Sequence, residues 1–389
     1  MSHNSQAPTS ERSDDLASYR TQFSVTERYT YLNHAGIGPL SSLARERAHR
    51  VLELQSHFGS RGSELWQQLQ AAARRRAAAM IGAAEDEVCF LKNTPEGIST
   101  VASGFPWKPG DNVVVPSCEF PANVYPWLNL RAQGVEVRFV EAPQARFGID
   151  AVAMAVDERT RIIAVSWVQF LSGYRVPLAD LAQLCRERSQ DTYLLLDAIQ
   201  GVGVAPIDVK AEGIHFLATA SHKWLMAPMG AGWLYCQAGL IDRLRLFEVG
   251  QNTVVPSSSY LEYDLRPKPG ARRFEAGVPP YASLAGLDGA LELYEQVGPQ
   301  RIFQRIEELC TRLVDGLQTR GCTILTPLDP RQRAGIVSFR HPTRDAGEIE
   351  TTLLGKKIVV VNREGYVRTS PHFYNTPDDI EEFLAALDR

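Results

Sequence analysis

The sequence predicts an α/β protein built on a mostly parallel sheet, and three observations carry that expectation. Short apolar runs of the kind that form strands buried on both faces alternate along the chain with segments of helical spacing. Two of the runs deliver polar residues: Tyr193-Leu194-Leu195-Leu196 ends at Asp197, and His215 to Ala220 ends at Ser221-His222-Lys223-Trp224. The end of a strand is where an open α/β sheet places its ligand. The chain has 389 residues, enough for a large core and two domains.

Taken in order, the chain begins with the polar stretch MSHNSQAPTSERSDD, which predicts a disordered N-terminus over residues 1–20 and lacks the apolar centre of a secretory signal. Tyr29-Thr30-Tyr31-Leu32 reads as a short strand leading into the glycine-containing turn Asn33 to Leu40. Helices are predicted over 43–58 and 65–81, with Gly59-Ser60-Arg61-Gly62 as a flexible hinge between them. A strand over 88–91 precedes a helix for which Thr94 is the expected N-cap and Pro95 the first residue, where a missing N–H costs nothing. Further strands are expected over 112–116, 135–140 and 161–167, ahead of the two that carry Asp197 and Lys223. Apolar residues at helical spacing over 284–317 predict a long helix broken near Gly298-Pro299, and strands follow over 335–340 and 358–362. The expected division is a large domain over residues 21–283, its first residues packing with a smaller C-terminal domain over 284–389.

Composition excludes several classes of function. With 44% hydrophobic and 22% charged residues the chain reads as soluble and globular, and a net charge of -4 invites neither nucleic acid nor an anionic membrane. The six cysteines are scattered without CxxC spacing, so neither a disulfide framework nor a metal site is expected. No apolar run approaches the length of a membrane span. A cytoplasmic protein acting on a small molecule is the expectation.

Asp197 and Lys223 give that expectation its chemistry. A lysine can form a Schiff base with pyridoxal phosphate, and a buried aspartate keeps the pyridine nitrogen protonated so that the ring accepts electrons from a carbanion. Gln200 stands three residues after the acid, within reach of the ring hydroxyl. The pattern D-x-x-Q followed by S-H-K-W resembles the class V aminotransferase group of fold type I pyridoxal-phosphate enzymes, which includes cysteine desulfurases, kynureninase and isopenicillin N epimerase. The similarity is greater to the epimerase-like branch. The resemblance implies a large domain with a mostly parallel seven-stranded sheet, one strand of which, near Gly230 to Tyr235, runs antiparallel. It also implies a smaller α+β C-terminal domain, pyridoxal phosphate as cofactor, and a homodimer whose active sites share residues.

Carried over residue by residue, the resemblance makes Lys223 the catalytic residue and places Asp197, Gln200, Ser221 and His222 around the cofactor. Thr94 corresponds to a phosphate ligand, with Glu96 and Gly97 contributing backbone amides. Pro95 and Val278 stand where relatives carry hydroxyl residues. Phe120, in Glu119-Phe120-Pro121-Ala122-Asn123, matches the position of a ring that stacks on the pyridine. In Val367-Arg368-Thr369-Ser370, followed by Tyr374-Asn375-Thr376, Arg368 corresponds to the arginine that grips the substrate carboxylate. Asn33, His34, Gln169 and Asn252 are the expected pocket walls.

The resemblance leaves the reaction open. Cysteine desulfurases need a nucleophilic cysteine shortly before the carboxylate-binding arginine, and Val359 to Arg368 contains none. What remains is removal of the Cα proton by Lys223, with β-elimination or C–S cleavage of a cysteine-type substrate placed ahead of transamination and epimerisation. A second class stays in view, a binding or regulatory protein that has lost catalysis. Pro95 and Val278 speak for it, and the complete set Asp197, Gln200, Lys223 and Arg368 against it.

Overall fold

The structure, a computed structural model, describes residues 14–188, 191–259 and 261–388. Asp14–Tyr19 is helical and Leu16 and Tyr19 lean on the core, so the disorder expected up to residue 20 does not hold for residues 14–20. Residues 1–13 lie outside the described residues. The first strand, β1 (Thr30–Tyr31), pairs in parallel with Ile358–Val359 near the other end of the chain. Helices Ser42–Phe58 and Ser63–Met80 follow, joined by a 3-10 turn over Gly59–Gly62 where the sequence suggested a loose hinge. Both pack on helix Tyr281–Val297, and Arg47 and Arg76 hold that contact through ion pairs to Asp288 and Glu292.

The central sheet is built from β2 (Val88–Leu91), β3 (Asn112–Pro116), β4 (Glu136–Val140), β5 (Thr160–Ser166), β6 (Tyr193–Asp197), β7 (Phe216–Ala220) and β8 (Gly232–Cys236), in the order β2-β8-β7-β6-β5-β3-β4. Strands β3 to β7 pair in parallel, while β8 runs antiparallel to both of its neighbours. Every residue of β6 and β7 is buried, which is why these strands read as unbroken apolar runs. Successive side chains still alternate: Leu194 and Leu196 join one core, Tyr193 and Leu195 the core on the opposite face. Truncating one of these leucines to alanine would cost about 2–5 kcal/mol.

The long C-terminal helix breaks at Gly298, whose φ of 94° suits glycine, and resumes as Pro299–Thr319. Beyond it lie β9 (Thr323–Ile324), β10 (Val337–Arg340), β11 (Ile358–Val359), β12 (Val361–Arg363) and β13 (Tyr366–Thr369). The single strand expected over 358–362 is two: β11 pairs with β1, and β12 joins the antiparallel sheet β12-β13-β10-β9. Register then fixes a face. Arg368 lies opposite Val361 on one side and Ser338 on the other, and Arg363 lies opposite Tyr366, so these side chains share one face of the sheet. That face meets the loop that follows β5 of the central sheet, because Ser338 Oγ donates to Leu171 O and Arg368 Nη1 donates to Phe170 O. No helix among the described residues is long and apolar enough to cross a membrane.

Candidate active site

Adjacent strands β6 and β7 bring the acid and the lysine together. Asp197 is 2% exposed and its Oδ1 accepts from Ile199 N–H at 3.1 Å. Lys223 follows β7 in a tight turn closed by Met226 N–H donating to Lys223 O. The backbone of Gly38 presses on this turn: its N–H donates to His222 O at 2.8 Å, and a Cβ there would stand 2.1 Å from Lys223 O. Only glycine fits that approach, so the Asn33 to Leu40 turn serves to hold the lysine from outside. Lys223 Nζ lies 5.7 Å from the centroid of the Phe120 ring, which is part-exposed and packs edge-on against Phe170.

The electrostatics follow from burial. Desolvation pushes the Lys223 ammonium below its usual range, opposed by Asp197 and reinforced by Arg368 and Arg363. Desolvation pushes Asp197 up, opposed by the Ile199 N–H and by Lys223, while the charge of Glu119 adds to the rise. A lysine biased toward its neutral form is what a base requires.

At the far end of the site the helix Thr94–Gly104 departs from expectation. Asn93, not Thr94, is the N-cap, its Oδ1 accepting from Glu96 N–H at 3.0 Å, and Gly97 N–H donates to Asn93 O. The two amides assigned to a phosphate are therefore already bonded within the helix turn. The Glu96 carboxylate folds back on Lys92. Thr94, freed from capping, is 2% exposed and its buried hydroxyl has no partner. Ser221 Oγ also has other partners, Pro228 O and Ala231 O. His222 is half-buried, and burial followed by the charge of Lys223 holds its imidazole below the usual range.

On the substrate side Arg368 is 2% exposed, bonded once to Phe170 O at 2.8 Å, and its Nε is buried without a partner. Burial lowers its pKa to about 10, with Arg363 adding to the shift. Asn33 Oδ1 is likewise buried and unpartnered. The other expected wall residues have partners within the protein. His34 is fully buried, donating from Nδ1 to Ser370 O at 2.8 Å and accepting at Nε2 from Tyr374 O–H at 2.7 Å. Gln169 is fully buried and donates to Glu119 Oε1 at 2.7 Å while accepting from the Cys118 thiol. Asn252 donates to Gly277 O and lines a separate cavity of about 610 Å³ with Val254, Tyr263 and Leu265, which none of Lys223, Asp197 or Arg368 lines. Gln200 is 2% exposed and spans two elements, its Nε2 donating to Ala35 O at 3.1 Å and its Oε1 accepting from Trp224 Nε1 at 2.7 Å.

Sequence reasoning passed over Glu119 and Arg363. Glu119 is a buried carboxylate held by Ser166 N–H, Ser166 Oγ, Asn123 Nδ2 and Gln169 Nε2. Its position just after a fully buried strand, one residue before Phe120, was the available signal. Arg363 gave none, since exposed arginines are common.

The set fits pyridoxal phosphate. Lys223 could hold the aldehyde carbon, Asp197 the ring nitrogen, Phe120 one ring face, and the unpartnered Thr94 hydroxyl the phosphate. All six cysteines are free, and burial raises the pKa of each thiol, so none is a ready nucleophile.

The profile of the family described as Aminotransferase class-V matches residues 49–383. The chain is 31% identical over 336 residues to a probable cysteine desulfurase of Methanothermobacter thermautotrophicus, covering 79% of this chain and 80% of the relative. Among solved structures it superposes with a TM-score of 0.88 and 24% identity on the cystine C–S lyase C-DES in complex with its product cysteine persulfide, covering 94% of this chain and 99% of that one. A C-DES variant with glycine covalently linked to its pyridoxal-phosphate cofactor gives a TM-score of 0.89 at 24% identity, covering 95% and 98%.

Proposed function

The chain belongs to the class-V aminotransferase family, and on that premise we propose that it is a pyridoxal-phosphate enzyme cleaving the C–S bond of a cysteine-type amino acid or conjugate by β-elimination. The observation that carries the reading is the opposition of a lysine biased toward neutrality and a buried arginine with an unpartnered Nε, in a chain whose thiols are all pushed up. When bound, the cofactor supplies a sink for negative charge at Cα. Arg368 takes the α-carboxylate and so turns the Cα–H bond toward Lys223. Lys223 takes that proton, the C–S electron pair leaves on sulfur, and hydrolysis of the remaining skeleton gives pyruvate and ammonia. Phe120 and Phe170 shield the reacting carbon from water. Elimination fits better than persulfide transfer to a protein thiol, because Cys118, part-buried behind Gln169, has its pKa pushed well up by burial.

The proposal includes a homodimer with shared sites, supported by the exposed Leu261, Tyr263, Leu265 and Val278, and a cytoplasmic location for a chain with free thiols. The test is a screen of the cofactor-loaded protein against amino acids and cysteine S-conjugates, following pyruvate, ammonia and thiol. Pyruvate with thiol supports elimination. A keto acid that retains the substrate side chain makes the protein an aminotransferase, and inverted amino acid an epimerase. Purified protein that takes up no cofactor points to a binding role.

A further inference from the structure

Arg363 is a charged feature near the site that the proposed reaction does not use. It lies on β12 opposite Tyr366, two residues from the partner of Arg368, which makes it a diagonal cross-strand neighbour of Arg368 on the same sheet face. Such neighbours stand about 7–8 Å apart. Among the described residues Arg363 has neither a hydrogen bond nor a carboxylate partner, and it is exposed. Arg340, on β10 across β13 from it, is employed differently: its guanidinium sits 4.1 Å from the Tyr366 ring centroid and its Nε donates to Gly365 O, bracing the hairpin. Two guanidinium groups on one face, one of them buried with an unpartnered Nε, repel each other unless anions are supplied. The charge of Arg363 bears on both Lys223 and Arg368, so it acts on the interior of the site and not only on bulk water.

We propose that Arg363 is a second anion-binding position of the substrate pocket, and that the substrate is a cysteine-type amino acid bearing a second carboxylate on its sulfur substituent. The inference rests on the reading of the site as an amino-acid site with Arg368 on the α-carboxylate. It assigns the two arginines distinct tasks. Arg368 orients the reacting carbon, and Arg363 selects among side chains by pairing with the distal charge. Phe120 and Phe170, in edge contact with each other beside Lys223, offer an apolar surface to the carbon chain between the two charges.

The experiment compares S-(2-carboxyethyl)cysteine with its near-isostere S-propylcysteine on the cofactor-loaded enzyme. The unaltered protein is expected to favour the carboxylate. In Arg363→Gln the ratio of the two kcat/KM values should fall by about tenfold or more, mostly through KM, and Arg363→Lys should restore part of it. A ratio that does not move, or an unaltered enzyme that favours the propyl compound, overturns the inference. If neither conjugate releases thiol, the same pair is titrated against the cofactor absorbance. Tighter binding of the carboxylate that Arg363→Gln abolishes then supports the second anion position while sinking the lyase reading. Equal binding of both compounds sinks the anion position itself.

Discussion

Two groups of buried polar side chains meet at the Lys223 turn, and they differ in how fully they are paired. On one side His34, Gln200, Trp224, His372 and Tyr374 form a seam in which the polar atoms find one another. His34 joins Ser370 and Tyr374, Gln200 joins Ala35 and Trp224, and His372 Nε2 donates to Trp224 O at 2.9 Å. On the other side the Thr94 hydroxyl, Asn33 Oδ1 and Arg368 Nε are buried with nothing to bond. Burying an unpaired polar group is costly, and a protein keeps such groups where a ligand completes them. The difference teaches that polarity alone does not mark a site. Unfilled hydrogen-bonding capacity beside a reactive side chain is the more telling sign, since Trp66, Arg305 and Glu307 also carry buried unpartnered atoms away from the lysine.

The comparison can be broken by mutation on either side. The largest effect is expected for Lys223→Ala, which should reduce turnover below detection and prevent borohydride from fixing the cofactor to the chain; measurable turnover in that variant would remove the lysine from its role. Arg368→Gln should raise KM by about 10- to 100-fold while leaving the urea midpoint close to its original value, because the lost group was serving a ligand. A contrast between two smaller changes is sharper. His34→Ala strips a satisfied seam residue and should cost about 1–3 kcal/mol of stability by leaving the buried Tyr374 hydroxyl unpaired. Thr94→Val keeps the shape but removes a hydroxyl without partners, so stability should hold while the cofactor dissociation constant rises about tenfold. Equal stability losses for the two would erase the distinction between seam and site.

The smallest effect is a dependence on pH. Burial holds His34 well below the usual imidazole range and lowers His372 to about 4, so both are neutral in the fold. The unfolded chain binds protons at these positions from about pH 6.5 downward. Their contribution to stability is therefore complete above pH 6.5 and lost as the pH falls toward 4. Urea midpoints at pH 7.5 and pH 5 should show the decline, and a His34→Ala, His372→Ala double variant should show less of it. An undiminished decline would place its origin elsewhere.

What the sequence made legible follows the same division. The strands of the central sheet stood out because burial on both faces forces unbroken apolar runs, and Asp197 and Lys223 because strand ends punctuate those runs. The register of the small sheet was not legible: residues 358–362 look like one strand, yet Ile358–Val359 serve β1 and Val361–Arg363 serve β13. Nor could Asn93 be told from Thr94 as a cap, since both are good acceptors and only geometry assigns the N-cap. The hydrogen-bond partners of His34 and Gln169 were not legible for a common reason. A polar residue in an apolar stretch announces that it needs a partner, and the partner of His34 lies 336 positions away.

That distance has a consequence for the birth of the molecule. Strand β1 leaves the ribosome well ahead of its partner β11 and of Ser370, His372 and Tyr374, which close the seam behind the lysine turn. Until then the first strand is an open edge, exposed to pairing with other chains. A polypeptide cut short before this segment would carry Lys223 without Ser370, His372 and Tyr374, and the seam behind the lysine turn would be left unpaired.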